Sequence, residues 1–254
     1  MPARETSPLG APCWVDLSTS DPAASKAFYG DLFDWAIDDP GPDYGGYANF
    51  TKDGEMIAGC MQNSPAMGAP PAWSVYLGTA DAAATANAAK DHGGEVIVPA
   101  MAVMELGTMA VFADPGGAAI GAWQPGLHQG FGLVAEAGAP SWFELHTGAY
   151  DASVAWYRDV FGWDTSVASD TPEFRYTTLG ADEAAAAGIM DTSGFAGGEP
   201  NHWAVYFGSD DVDASVAKVL ELGGSVVHPA EDTPYGRIAC VTDDLGVEFR
   251  LHKA

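Results

Sequence analysis

Residues 13 to 35 read CWVDLSTSDPAASKAFYGDLFDW, and residues 141 to 163 read SWFELHTGAYDASVAWYRDVFGW. Set against each other without a gap, they match at Trp14 and Trp142, Leu17 and Leu145, Thr19 and Thr147, Ser25 and Ser153, Tyr29 and Tyr157, Phe33 and Phe161, and Trp35 and Trp163. Self-similarity on this scale marks a tandem duplication, so any fold that suits one copy must suit both. It splits the 254 residues into halves of about 125, each of ordinary domain size and long enough to bury a core of its own.

Within the first half, residues 13–19 alternate as a strand with Trp14, Asp16 and Ser18 on one face. A helix follows, capped by Ser20 or Asp21 with Pro22 in its first turn, and Phe28, Tyr29, Leu32 and Phe33 give it one apolar stripe. Strands over 46–52 and 55–62 meet at Asp53 and Gly54, a pair suited to a tight hairpin turn. The plan restarts at Trp73: a strand, a helix from Asp81 to a stop at Gly93 and Gly94, and further strands. The second half repeats it, with a helix from Asp151 to Phe161 and another carrying Val212, Val216, Val219 and Leu220. Ala58 and Gly59 return as Ala187 and Gly188, which places residues 183–190 in a strand although the alanine run favours helix. Gly107, Asp114 and Gly117 return as Gly236, Asp243 and Gly246. The expected class is α+β: four βαβββ modules paired into two domains, 8–127 and 139–254, with a linker over 128–138. One amphipathic helix leaves the other face of each short sheet open, so each pair of modules is expected to curve a mixed sheet around a ligand-sized cavity.

The order of these signals resembles the vicinal oxygen chelate superfamily of glyoxalase I, bleomycin-resistance proteins and extradiol dioxygenases. The FYxxLFxW helix, the glycine-pair helix stops and the closing DPxG strand carry the likeness. DPGGAAIGAWQPG and PNHWAVYF make the chain similar to the two-domain glyoxalase-like proteins of actinobacteria. The resemblance implies two glyoxalase-like domains, but no single activity, because this superfamily uses one cavity for lyases, isomerases, dioxygenases and drug binding. It also implies where a metal would be gripped: Trp14, Ser74 and Gly121 in the first half, and Trp142, Ala204 and Arg250 in the second. None is a usual ligand, and Arg250 adds positive charge, so no cofactor is expected. A shifted set of Glu144, His146, Glu248 and His252 would bind a metal only if all four converged, and a carboxylate paired with Arg250 accounts for them equally well.

Strand alternation aims Trp14, Asp16, Ser74, Tyr76 and Trp123 at the first cavity, an aromatic slot with one carboxylate that suits a flat or cationic molecule. The second receives Trp142, Glu144, His146, Tyr206, Glu248, Arg250 and His252. Here Glu144, with a pKa raised by burial, is expected to act as general acid or base, His146 to shuttle a proton, and Tyr206 or Arg250 to hold an enolate. The leading expectation is metal-independent isomerase, lyase or cyclase chemistry on an oxygenated organic molecule. The alternative is sequestration of a drug or metabolite without catalysis, and metal-dependent glyoxalase or dioxygenase chemistry ranks third.

Ten Lys and Arg against 35 Asp and Glu leave a formal charge of −25, which repels nucleic acid and anionic lipid and favours a small-molecule partner. The expected assembly is a monomer or homodimer. Cys13, Cys60 and Cys240 are odd in number and widely spaced, so no disulfide framework is expected. With no apolar leader at the N-terminus and no run of about 18 apolar residues, the expected location is the cytoplasm. His128 lies in the linker without an evident partner.

Overall fold

The structure, a computed structural model, describes residues 8–63, 68, 70–195 and 200–253. The first module comprises β1 (Pro12–Thr19), α1 (Pro22–Phe33), β2 (Ala36–Asp38), β3 (Ala48–Lys52) and β4 (Glu55–Gln62). The second comprises β5 (Ala72–Gly78), α2 (Ala82–Asp91), β6 (Glu95–Val103), β7 (Gly107–Ala113) and β8 (Ala119–Pro125). In the other half these recur as β9 (Pro140–Thr147), α3 (Tyr150–Phe161), β10 (Thr165–Asp170), β11 (Arg175–Leu179) and β12 (Ala187–Asp191), then β13 (His202–Ser209), α4 (Val212–Glu221), β14 (Ser225–Thr233), β15 (Gly236–Thr242) and β16 (Glu248–Lys253).

Each half is one eight-stranded mixed sheet, ordered β2-β3-β4-β1-β5-β8-β7-β6 and β10-β11-β12-β9-β13-β16-β15-β14. The first strands of the two modules, β1 and β5, run antiparallel at the centre, and each is flanked by the parallel last strand of its own module. Neither sheet closes into a barrel, since β2 and β6 stay at the edges of one and β10 and β14 at the edges of the other.

Local chemistry explains the element ends. Asp21 accepts from the amides of Ala23 and Ala24, Asp81 from those of Ala83 and Ala84, and Asp211 from that of Ala214, so three helices start on a carboxylate cap. Asp53 and Gly54 both have positive φ, 53° and 86°, the backbone that a two-residue hairpin demands. One strand went unread, and two expectations need correction. β2 is exposed along its whole length, so it leaves no apolar pattern to read. The strand placed over 183–190 begins only at Ala187, because residues 182–184 form a 3-10 turn. Leu220, assigned to an apolar helix stripe, is 54% exposed.

The largest correction concerns the core. The helix-bearing sides of the two sheets face each other, and their apolar residues form one continuous cluster rather than two. Trp35 meets Phe207, and Phe28 meets Phe249, across the halves. The contacts are reciprocal: the Tyr29 hydroxyl donates to Asp243 and accepts from Trp73, while the Tyr157 hydroxyl donates to Asp114 and accepts from Trp203. The Trp35 indole likewise donates to the Gly138 carbonyl and the Trp163 indole to that of Gly10. The residues repeated most plainly in the sequence are those that lace the halves together. All three cysteines are buried.

Candidate active site

The opposite faces of the central strands carry the candidate sites, and in the first half Trp14, Tyr76 and Trp123 still join the continuous apolar cluster. In the first half, Trp14 stands opposite Tyr76, and Tyr76 beside Gly121; in the second, Trp142 stands opposite Tyr206, and Tyr206 beside Arg250. Residues in register across neighbouring strands share a face, so each half presents one row of side chains crossing its sheet centre.

Beside each row lies a buried carboxylate. Asp16 accepts from the Trp14 indole at 2.9 Å and the Tyr47 hydroxyl at 2.6 Å, with Tyr76 as a further donor. Glu144 accepts from the Tyr176 hydroxyl at 2.6 Å, the Tyr206 hydroxyl at 2.8 Å and the His146 ring at 2.7 Å. Tyr47 and Tyr176 went unrecognised in the sequence, although they occupy equivalent places before ANF and TTL. Their signal is the repeated glycine: a Cβ on Gly59 would collide with the Tyr47 hydroxyl and Asp16, and one on Gly188 with the Tyr176 hydroxyl. Glycine there lets a phenol lie flat across the strand and reach the carboxylate.

The two carboxylates differ in their electrostatics. Burial dominates at Asp16 and raises its pKa above the ordinary range despite its neutral donors. At Glu144 burial pushes the same way, but His146 and the two phenols outweigh it and hold the pKa at about 2. The raised value expected for Glu144 is therefore corrected: it is an ionised, saturated acceptor, unsuited to being the base. Burial lowers the His146 pKa although Glu144 opposes the shift, so the ring is neutral near pH 7 and its Nε2–H points at Glu144. Arg250 is half-buried and loosely held. Its contacts are 3.4 Å to the Tyr206 hydroxyl and 3.7 Å to the exposed Glu248, and its Nε has no hydrogen-bond partner. Phe174, Tyr176 and Tyr235 stack in series beside this cluster, Tyr235 being 59% exposed.

Several expected residues stand outside these contacts. Ser74 faces Asp16 in register but is exposed. Glu248 is exposed, and His252 bonds the Tyr235 carbonyl rather than the cluster. The shifted metal set thus does not converge, and among the described residues no group of three or more His, Cys, Asp or Glu is arranged to hold a metal ion. Trp14, Ser74, Gly121, Trp142, Ala204 and Arg250 do not fit a divalent cation either, since none supplies an imidazole, thiolate or carboxylate and Arg250 places a guanidinium in the second row. His128 also corrects its reading: its ring packs edge-on to Trp14 at 4.3 Å and lies 5.5 Å from Trp123, whose indole donates to the His128 carbonyl. With Phe131 on Trp14 as well, residues 126–132 cover the first site. Elsewhere, a groove of about 330 Å³ opens at the start of α3, but its one cation, Arg175, is shared by Asp151, Asp170 and Asp191.

A mixed sheet made of two βαβββ modules, twice over, with a polar cluster on each open face, defines a two-domain member of one fold family. The chain belongs to the glyoxalase/bleomycin resistance protein/dioxygenase superfamily, whose family model matches residues 13–121 and 140–251. Among its relatives is "Putative glyoxylase CFP32" of Mycobacterium tuberculosis, 39% identical over 258 residues covering 100% of this chain and 98% of that protein. The anthracycline biosynthesis protein DnrV of Streptomyces peucetius is 37% identical, covering 95% of this chain and 92% of that protein. Among solved structures, the Mn(II)-bound glyoxalase from Novosphingobium aromaticivorans superposes with a TM-score of 0.66 at 15% identity, covering 96% and 82% of the two chains. The 2,3-dioxygenase LapB from Pseudomonas sp. KL28 gives 0.68 at 11% identity, covering 98% and 93%. These structural likenesses speak for the fold alone. Among the described residues no helix is long and apolar enough to cross a membrane.

Proposed function

We propose that this protein is an enzyme of metal-independent acid–base chemistry, acting through the cluster around Glu144 on a planar, oxygen-rich small molecule. One observation carries the reading: the repeats share the Trp, Tyr, carboxylate, Tyr network, and they differ where proton transfer and anion binding would need it. Ser18 of the first copy is His146 in the second, and Gly121 is Arg250. Shared parts serve the fold of each sheet face; the added imidazole and guanidinium supply reactivity.

In this mechanism Glu144 is a positioning residue, fixing the imidazole and both phenols by accepting from each. His146, its Nε2–H committed, offers Nδ1 to take a proton from a carbon next to a carbonyl and return it elsewhere. Arg250, with donors to spare, holds the enolate oxygen that develops. Isomerisation, elimination and cyclisation all begin with such a step. The substrate class draws on the Streptomyces relative, whose name places it in anthracycline biosynthesis; the stacked rings of Phe174, Tyr176 and Tyr235 suit a flat polycycle of that kind.

Exchange of α-hydrogens for deuterium in a hydroxyanthraquinone bearing an acetyl side chain tests the reading. Wild-type protein accelerates the exchange, His146→Asn slows it by about 10²–10⁴-fold with little change in Kd, and Arg250→Gln both slows it and weakens binding. Undiminished exchange in His146→Asn, or activity removed by a chelator and restored by Mn(II), overturns the proposal.

A further inference from the structure

The first-half site is not open to solvent. Trp14, Asp16, Tyr76 and Trp123 are each less than 10% exposed, as are Glu144, His146 and Tyr206 in the other half, but Trp142, the counterpart of Trp14, is only half-buried. What covers the first site is residues 126–132, which cross its mouth as a strap. The strap is held along its length by backbone bonds, from Gly126 and His128 to the Leu106 carbonyl, from Leu127 to that of Glu105, from Phe131 to that of Cys13 and from Gly132 to that of Met56, and the His128 carbonyl accepts from the Trp123 indole. Among these bonds the His128 ring is pressed onto Trp14.

The strap is a poor chemical match for its seat. The Nε2 of His128 is buried with no hydrogen-bond partner, and the faces around the ring are the indoles of Trp14 and Trp123. A ring edge made of carbon would lose nothing there, whereas a ring nitrogen gives up its hydrogen bond to water. Lifting the strap breaks the hydrogen bonds that hold it, which water can replace, but few apolar contacts besides those of His128 and Phe131, because Leu127 points outward, 71% exposed, and Gly126, Gly130 and Gly132 carry no side chain.

We propose that the slot between Trp14 and Trp123 is a second small-molecule site whose resident occupant is the His128 ring, and that it takes a planar, carbon-edged aromatic ring when the strap lifts. The inference is independent of the chemistry assigned to the other half. It gives the duplication two outcomes: one copy gained reactive groups, and the other kept an aromatic slot closed by its own chain.

The experiment titrates thiophene and imidazole, rings of similar size, into His128→Ala while following tryptophan emission. Thiophene binds saturably and about tenfold more tightly than imidazole, adding Trp14→Ala abolishes the response, and wild-type protein shows none at the same concentrations. No saturable binding, equal or better binding of imidazole, or an identical response from wild-type protein overturns the proposal. Should His128→Ala fail to fold, amide exchange of wild-type protein decides: the amides of Phe131 and Gly132 exchange at least about tenfold faster than those at the centre of β1, and exchange as slow as the strand removes the moving strap. His146→Asn in the other half leaves all of these readouts unchanged, so failure of either reading is told apart from failure of the other.

Discussion

At the scale of single residues, two carboxylates in equivalent places are driven in opposite directions by what surrounds them. Asp16 sees neutral donors and its pKa rises, while Glu144 sees those plus an imidazole and its pKa falls. The sign of the stability effect follows. Glu144 binds its proton less readily folded than unfolded, so its contribution is complete above the ordinary carboxylate pKa and is lost as pH falls through about 2. The shift corresponds to roughly 3 kcal/mol. The stability gap between wild type and Glu144→Gln, measured by urea unfolding, should therefore shrink from pH 6 to pH 3; a gap independent of pH would mean that Glu144 is not ionised in the native state. Much of this site was legible beforehand, because period-two alternation puts Trp142, Glu144 and His146 on one face, and the family resemblance supplied Ala204, two residues from Tyr206, and Arg250 as their neighbours. What alternation cannot convey is the sign of a pKa shift, which depends on the His146 ring bonding Glu144 rather than merely sharing its face, with Tyr176, brought in from a strand more than thirty positions away, adding to the effect.

At the scale of elements, β4 and β12 show how an absent side chain directs a present one. Both carry glycine where a phenol crosses them. Gly188→Ala should drive Tyr176 off Glu144 and cost about 1–3 kcal/mol, whereas Gly194→Ala, where the added carbon meets nothing, should fall within about 0.5 kcal/mol of wild type. Thermal unfolding of the two variants measures this, and equal Tm values would remove the steric role of Gly188. The helices were readable because caps and stops are local chemistry. β2 and the late start of β12 were not: an exposed edge strand has no buried face to impose a period, and an alanine run takes whatever conformation its neighbours fix.

At the scale of the whole molecule, the duplication announced two like units but not how they meet. Tyr29, Trp35, Tyr157, Trp163, Asp114 and Asp243 were all visible as repeated residues. Nothing in one copy reveals that its partner for each lies in the other, since self-similarity reports likeness and is silent about contact. Asp243 accepts from Tyr29 and from the amides of Leu245 and Val247, so Asp243→Asn should destabilise the protein by about 1–3 kcal/mol. It should do so as a downward shift of one calorimetric transition covering both halves. Two separated transitions, with only the second half affected, would show that the shared core does not couple them.

A protein knotted to itself by reciprocal tyrosines is not a pair of cassettes. Either copy cut free would carry half of each lock and expose the aromatic bed meant for its twin, so shuffling a lone copy into another polypeptide is barred to evolution and to engineers alike. Change in one copy must be tolerated by the other, which leaves the outward faces, away from the seam, as the ground on which the two were free to become different.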